Sequence, residues 1–459
     1  MNRGEAYHKQ MVETPVGRLI VKLGIPTTIA MLITNVYNLV DTYFVGTLGT
    51  SQQGATGILF TLQAILQAFA FMLGHGSGTQ VAKNLAEKRV ERANTYVSSA
   101  FYGGLTIGTI LLTFGLIFLE PFMLFLGSSS TILPYAKEYG LWVLIAAPFL
   151  ITSLVLNNNL RYEGKAIFAM VGIGIGAMLN VFGDYIFIRI MDLGVFGAGM
   201  STAISQFVSF TILLIFYLRK AQTTIRFRFI SRELHVYLNI FKAGLPSLLR
   251  QGLASISGGI LNNVTKPFGD AAIASISVVN RYSNFVTCVG MGIGQGLQPV
   301  AAYNYAVKEY GRVRKGTWFT IGFSLAIVSV LAVLTLIFPD TIVRWFNQDP
   351  EVIEMGTLAL RYAAISLFFS PAFVVASMMF QSIRKSMIAS ILAALRSGLA
   401  FIPTIFLLVY ACGLGFHGIA LSQPVADFIS FLIALPFLLV FSSKLKEMEK
   451  EKAENSPQK

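Results

Sequence analysis

Two carboxylates stand in stretches of this chain where water is scarce. Asp41 lies in an apolar run behind Asn35 and Asn38, at intervals of three, with Tyr37 four residues before it. At a helical period these side chains drift slowly along one face. Asn180 and Asp184 form an i,i+4 pair on one face of a later run. Thr202 follows in the next run, with Ser205 and Gln206 around the same stripe, and Asn157-Asn158-Asn159 close an earlier one. A charge at mid-bilayer costs roughly 2.5–3.5 kcal/mol on insertion scales, so a buried acid there is a functional candidate by default. Two carboxylates, a carboxamide oxygen and a hydroxyl make a hard-oxygen set suited to Na⁺ or to protons. Asp41, Asn180, Asp184 and Thr202 are therefore the candidate cation-coupling site, and its two acids would titrate as one coupled unit. Entry of a cation would then shift the balance between two helix arrangements. Pro26, about four turns before Asp41, is the candidate hinge. The plainer alternative is that both acids only cross-link helices.

The elements that must hold these residues are membrane helices. With 459 residues, 54% hydrophobic and 12% charged, and a mean hydropathy of +0.66, the chain is no ordinary soluble protein. Its apolar periodicity predicts an all-α integral membrane protein with about twelve spans. The first six are expected at 19–44, 58–81, 96–119, 139–160, 167–188 and 196–218. The second six are expected at 238–264, 273–302, 318–337, 358–380, 387–410 and 419–441. The net charge of +13 is gathered in alternate loops: four basic residues in 83–92, six in 219–242 and four in 308–315. The intervening loops are nearly bare, which places both termini and the central loop in the cytoplasm by the positive-inside rule and excludes a nucleic-acid role. Cys288 and Cys412 both fall in apolar runs, so neither a disulfide framework nor a metal-ligand spacing is expected. Residues 1–18 are polar and mixed in charge, so no cleavable signal is expected before the first span.

The chain is also written twice. Gly24-Ile-Pro26 recurs as Gly244-Leu-Pro246 and Gly49 as Gly269, at an offset of 220. Gly76-x-Gly78-x-Gln80 recurs as Gly294-x-Gly296-x-Gln298 at 218, and Pro148 and Arg161 recur as Pro371 and Arg384 at 223. Leu193-Gly194-x-x-Gly197 and Phe207-Val-Ser-Phe210 return at 221 as Leu414-Gly415-x-x-Gly418 and Phe428-Ile-Ser-Phe431. Such duplication suits a transporter that opens alternately to each side, with an even number of spans per copy making parallel rather than inverted repeats. The expected organisation is a six-helix lobe at 1–218, a cytoplasmic basic linker at 219–242, a second lobe at 243–443, and a charged tail at 444–459 resembling a solvated, frayed helix. The second copy lacks both acids: Leu261 stands for Asp41, and Ile405, Phe406 or Leu407 for Asp184. A role common to both lobes would have kept them, so a dedicated site in the first lobe is favoured.

Other residues are less decisive. Arg250, Arg281 and Arg396 lie in or near apolar runs, with Asp427 in the last. An internal Arg–Asp pair plus snorkelling is the simpler account, and a substrate-anion site the alternative. Candidate substrate contacts are Tyr37, Asn38, Tyr139, Asn157, Asn158, Met178 and Met200, since aromatic faces attract organic cations and methionine adapts to varied shapes. Interhelical hydrogen bonding is an equally good account of the asparagines. No Walker run and no H-E-x-x-H motif is present, and His8, His75, His235 and His417 are scattered, so neither an ATP-driven pump nor an enzyme is expected.

In combination, several motifs resemble the multidrug and toxic compound extrusion (MATE) family: G-I-P in the first helix, N-L-V-D-T-Y-F-V-G at 38–46, L-R-Y-E-G-K at 160–165, N-V-F-G-D at 180–184, G-x-G-M-S-T at 197–202 and A-Y-N-Y at 302–305. Asp41, Asn180, Asp184 and Thr202 match the first-lobe acid-and-amide cluster of the DinF-type branch. The resemblance implies a pair of six-helix bundles in a V that rock between inward- and outward-open states, with an H⁺ or Na⁺ site beside a cavity for cationic compounds. The branch relying on second-lobe acids needs a carboxylate in the seventh helix, where this chain has Arg250-Gln251. The expected function is a secondary multidrug efflux antiporter of the cell membrane. It would exchange H⁺ or Na⁺ for amphipathic, cationic drugs or toxic organic cations, as a monomer among membrane lipids and without another cofactor. A flippase for a lipid-linked precursor is the alternative.

Overall fold

The computed structural model describes residues 3–454. Its first half runs α1 (Arg3–Val12), α2 (Val16–Gly46), α3 (Thr50–Ala86), α4 (Val90–Ile117), α5 (Leu119–Phe125), α6 (Leu133–Tyr162), α7 (Ala166–Asp184) and α8 (Gly194–Lys220). Its second half runs α9 (Leu234–Thr265), α10 (Asp270–Ala306), α11 (Tyr310–Ile337), α12 (Pro339–Phe346), α13 (Pro350–Leu367), α14 (Ser370–Ser382), α15 (Ser386–Ala394), α16 (Phe401–Phe406) and α17 (Gly415–Glu454). Among the described residues nine helices are long and apolar enough to cross a bilayer, and ten if α13 and α14, bent by 50°, make one span. α9 and α10 supply the remaining two of the twelve expected spans. Both are long enough, at 32 and 37 residues, and carry more polar side chains. Only helices with all backbone groups paired internally can be apolar on every face in lipid, and that explains why this sequence is helical almost throughout.

The helices sort into two compact units that are not contiguous in sequence. One holds the chain up to Tyr7 together with Ile29–Gln251; the other holds His8–Thr28 together with the chain from Gly252 onward. The boundary therefore falls inside α2 and inside α9, whereas an organisation by chain order alone would put it in the 219–242 linker. Pro26 lies just before the changeover in α2, and Pro246 a few residues before the changeover in α9. A proline cannot donate to the carbonyl four residues back. Beside Pro26, Thr27 Oγ1 donates to the Leu23 carbonyl at 2.9 Å and Thr28 Oγ1 to the Gly24 carbonyl at 3.0 Å.

Small residues explain the exchange. In the first unit a Cβ on Gly76 of α3 would sit 2.2 Å from the Ile240 carbonyl oxygen of α9. In the second, a Cβ on Gly296 of α10 would sit 2.6 Å from Gly24 Cα of α2. Backbones this close require the missing side chain. Ile20 and Gly24 stand to Gly296 as Ile240 and Gly244 stand to the α3 segment Met72–Gly76, so the two copies superpose at an offset of 220 through this region. This corrects the offset of 218 that the repeated Gly-x-Gly-x-Gln pattern suggested: the equivalent of Gly76 is Gly296. A second correction concerns Arg384. It turns the chain at φ 64°, bonding its amide to the Gln381 carbonyl, as Gly164 does at φ 75° with Arg161. Arg384 therefore corresponds to Gly164 and not to Arg161.

The basic linker is stitched down. Thr224 N donates to Asn94 Oδ1 at 2.8 Å, Arg226 N to Ser98 Oγ at 3.2 Å and Ser231 N to Ser99 Oγ at 3.0 Å, all along α4. The charged tail continues α17 without a break to Glu454. It docks on the α10–α11 turn through Lys452–Glu309 at 2.6 Å and Arg314–Glu449 at 3.5 Å, so it is less free than its composition suggested. The tail residues 455–459 lie outside the described ones.

Candidate functional site

Four helices of the first unit bring the polar minority together. α2 presents Asp41, α6 Tyr139, α7 the one-turn pair Asn180 and Asp184, and α8 Ser201 and Thr202. All are buried, with Asp184 at 0% and Asp41 at 7% exposure. Glycines let α7 and α8 approach: a Cβ on Gly183 would meet Ser201 Oγ at 2.4 Å, and one on Gly176 would meet Ser209 Cβ at 2.7 Å. Directly after Asp184 the helix widens into a π-helical turn, Tyr185–Ile190, a local departure frequent at functional sites.

Tyr139 is the hub. Its hydroxyl donates to Asp41 Oδ2 at 2.8 Å and lies 3.3 Å from Thr202 Oγ1. Asn180 Nδ2 reaches Thr202 Oγ1 and Ser201 Oγ, both at 3.3 Å, while Ser201 Oγ donates to the Asn180 carbonyl at 2.9 Å. Asp41 and Asp184 lie within electrostatic reach of each other, and Tyr37 is beside both and beside Gln206. Asp41 Oδ1, both Asp184 oxygens and Asn180 Oδ1 are buried and make no hydrogen bond of standard geometry among the described residues, with Ser201 and Asp41 standing near enough to act on Asp184. Four buried acceptors short of donors form a cradle for something positive, because a buried oxygen left unsatisfied costs about 1–3 kcal/mol, and more when charged. No basic side chain pairs with either acid among the described residues. The donor set is all oxygen, which fits a hard cation or a proton.

The remaining candidates are scattered. Asn38 is half-buried in α2, Met200 is half-buried in α8, and Met178 in α7 is 58% exposed. Asn157 Nδ2 donates to the Ala169 carbonyl at 3.0 Å. Asn158 Oδ1 accepts from Arg161 Nη2 at 2.6 Å, and Asn159 Nδ2 donates to Ser77 Oγ at 2.9 Å. Asn157 and Asn159 thus join helices, as the plainer account of the asparagine run anticipates, whereas Asn158 bonds within α6, its amide nitrogen donating to the Leu154 carbonyl at 2.7 Å. In the second unit Arg396 Nε pairs with Asp427 Oδ1 at 3.1 Å, and Gln423 Nε2 adds a bond of 2.7 Å to the same oxygen, which is the internal Arg–Asp pair expected.

One acid escaped sequence reasoning. Glu163, just beyond α6, is fully buried and accepts from Tyr217 Oη at 3.0 Å, from Thr223 Oγ1 at 2.5 Å and from the amides of Gln222 and Thr223. Burial pushes its carboxyl above the ordinary range against the opposing pull of these bonds. Its position in a charged loop gave no signal of this; the one clue was the motif L-R-Y-E-G-K that contains it.

Comparison with known proteins follows this geometry. The MatE family model matches the chain twice, over residues 26–186 and 246–407. The chain belongs to the MatE family. The two matches are the duplicated halves, each beginning at the proline of its first helix, Pro26 or Pro246. Over 428 residues the chain is 27% identical to the multidrug export protein MepA of Staphylococcus saprophyticus, covering 93% of this chain and 94% of that protein. MepA of Staphylococcus aureus is likewise 27% identical over 438 residues, covering 94% and 96%. The fold matches, with a TM-score of 0.89 at 24% identity over 95% of this chain and 98% of the other, a structure described as the outward-facing conformation of a multidrug resistance MATE family transporter. As a MatE protein the chain is a multi-pass membrane transporter of the kind that exports multiple drugs.

Proposed function

We propose that this MatE protein is a cation-coupled antiporter, exchanging H⁺ or Na⁺ for amphipathic, mainly cationic compounds by alternating access. The observation that carries the proposal is the cradle of four unsatisfied oxygens on Asp41, Asp184 and Asn180. Two carboxylates within reach of each other, buried and without a basic partner, repel unless a proton or cation shares the space. Asp41, Asn180, Asp184 and Thr202 would hold that ion, with Tyr139 steering Asp41. Loading would neutralise the cluster and lower the cost of packing α2 against α7 and α8; unloading would raise it. An ion with different affinities for two arrangements shifts their balance, as coupling requires. Pro26, at the changeover of α2 between units, is the proposed hinge. The alternate-loop charge pattern favours the cytoplasmic membrane with both termini inside. The relatives' export of many drugs favours this reading over a flippase for a lipid-linked precursor.

The test is efflux of a fluorescent cationic dye from proteoliposomes under an imposed H⁺ or Na⁺ gradient, each supplied alone. Asp41→Asn and Asp184→Asn should each reduce gradient-driven movement at least about a hundredfold while the protein stays folded and inserted. Wild-type rates in both variants would overturn the assignment, and the gradient that drives the wild-type protein identifies the ion.

A further inference from the structure

The second unit carries a polar stripe that the coupling site does not use. Ser277, Asn280, Arg281 and Asn284 of α10 fall at i, i+3, i+4 and i+7, on one helix face. The last three are exposed. Arg281 lies about 16 Å along α10 from Asp270 at 1.5 Å per residue, inside the 273–302 run expected to cross the bilayer. Arg396 is neutralised by Asp427, but no ion pair, hydrogen bond or ring contact engages Arg281, Asn280 or Asn284 among the described residues. An unpaired arginine facing lipid tails at that depth would be heavily penalised, which favours a face turned to water over one turned to lipid. The first copy has nothing comparable: at the offset of 220 the corresponding residues of α3 are Gly57, Phe60, Thr61 and Ala64.

We infer that Arg281, flanked by Asn280 and Asn284, is the group that separates transported molecules bearing an oxyanion from simple cations, by binding that oxyanion directly. A guanidinium offers a planar fork of donors that matches a carboxylate at two points, and the two carboxamides can add donors from one turn of the same helix. A cation lacking an oxyanion gains nothing from this stripe. The inference rests on the transport reading for its physiological meaning, but the recognition itself is an equilibrium property of the second unit.

Binding therefore tests it without any gradient. The probes are rhodamine 110, which bears a free carboxylate, and rhodamine 123, its methyl ester, measured by fluorescence polarisation on the full-length protein in uncharged detergent. Arg281→Gln should weaken rhodamine 110 at least about tenfold, the scale of one lost charge-assisted hydrogen bond, and change rhodamine 123 less than twofold. Arg281→Lys should restore part of the loss by keeping the charge, and Asn284→Ala should show a smaller loss of the same selectivity. An equal effect on both dyes, or none on either, overturns the inference. A lipid phosphate is the other source of an oxyanion: Arg281-dependent binding of added phosphatidylglycerol, with no discrimination between the dyes, assigns the stripe to a headgroup and also overturns it. Failure of gradient-driven rhodamine 123 efflux would count against the antiport reading while leaving the dye selectivity to stand or fall alone.

Discussion

The two units share a backbone plan and divide the chemistry. In the first, Asp41, Asn180, Asp184 and Thr202 close around buried, unsatisfied oxygens. At the corresponding positions the second has Leu261, Phe401, Ile405 and Gln423, and the first three of these belong to one apolar cluster with Val278 and Ala426. The equivalence holds locally: the π-helical turn after Asp184 recurs as Leu407–Ala411, closed by the Cys412 amide on the Leu407 carbonyl as Met191 closes on Ile186. The same geometry therefore accepts an ion site or a hydrocarbon core, depending on a few side chains. Duplication preserved what packing demands, such as the glycine seats, and left polar groups free to specialise. Where one unit has Glu163 tying down the linker, the other has buried Ile383; where one has an unpaired arginine stripe, the other has Phe60 and Ala64.

Grafting acids across the pair should break the comparison most severely. Leu261→Asp or Ile405→Asp puts a carboxylate into a finished apolar core. Each is expected to cost about 3–5 kcal/mol and to reduce folded yield sharply by size-exclusion chromatography after extraction. Near-normal yield would mean that the second unit retains a latent polar cavity.

The glycine seats test what the copies have in common. Gly76→Ala and Gly296→Ala force a methyl group onto backbone atoms 2.2 Å and 2.6 Å away, and overpacking of this kind costs typically about 1–3 kcal/mol. Similar losses of thermal stability in the two variants are expected. A strongly one-sided result would show that the seats are not equivalent despite their matched geometry.

Glu163 offers a pH signature absent from the Ile383 side. Its folded-state carboxyl is raised above the ordinary range, so between the two values the folded state binds the extra proton. Its contribution to stability is thus greatest below the ordinary carboxylate pKa and declines as pH rises through the raised one. Glu163→Gln should flatten that part of the stability profile, and a profile identical to wild type would remove the clamp from the account. The smallest effect concerns the matched turns at Lys88 and Lys308, whose φ values of 59° and 62° are left-handed. Lys308→Gly should raise stability by about 1 kcal/mol, read as a shift in unfolding midpoint.

Much of this was legible in the residues themselves. Apolar run length is a local quantity and located the spans, and the repeated glycine and proline motifs gave the duplication. The cost of burying an acid in lipid singled out Asp41 and Asp184, and their absence from the second copy pointed to a one-sided site. Spacing could not reveal that Tyr139, 98 positions away in sequence, donates to Asp41, because that bond depends on how α2 and α6 meet. Nor could it separate Asn180, which faces the cradle, from Asn157, whose amide bonds across to α7, or Asn158, whose amide bonds back within α6: all lie in apolar runs and differ only in what stands opposite.

Residue identity and period by themselves determined that this chain is a duplicated, all-helical membrane protein with a lopsided distribution of buried acid. The tertiary structure alone decided the register of the copies through their earlier helices, 220 rather than 218 at Gly76 or 223 at Arg161, and the exchange of the first parts of α2 and α9 between compact units. It also decided the burial of Glu163 and the pairing of Arg396 but not Arg281. Hydrophobicity and charge act on each segment separately, whereas register and partnership are set by close approach at glycines and by donors from distant helices, which no single stretch of sequence contains.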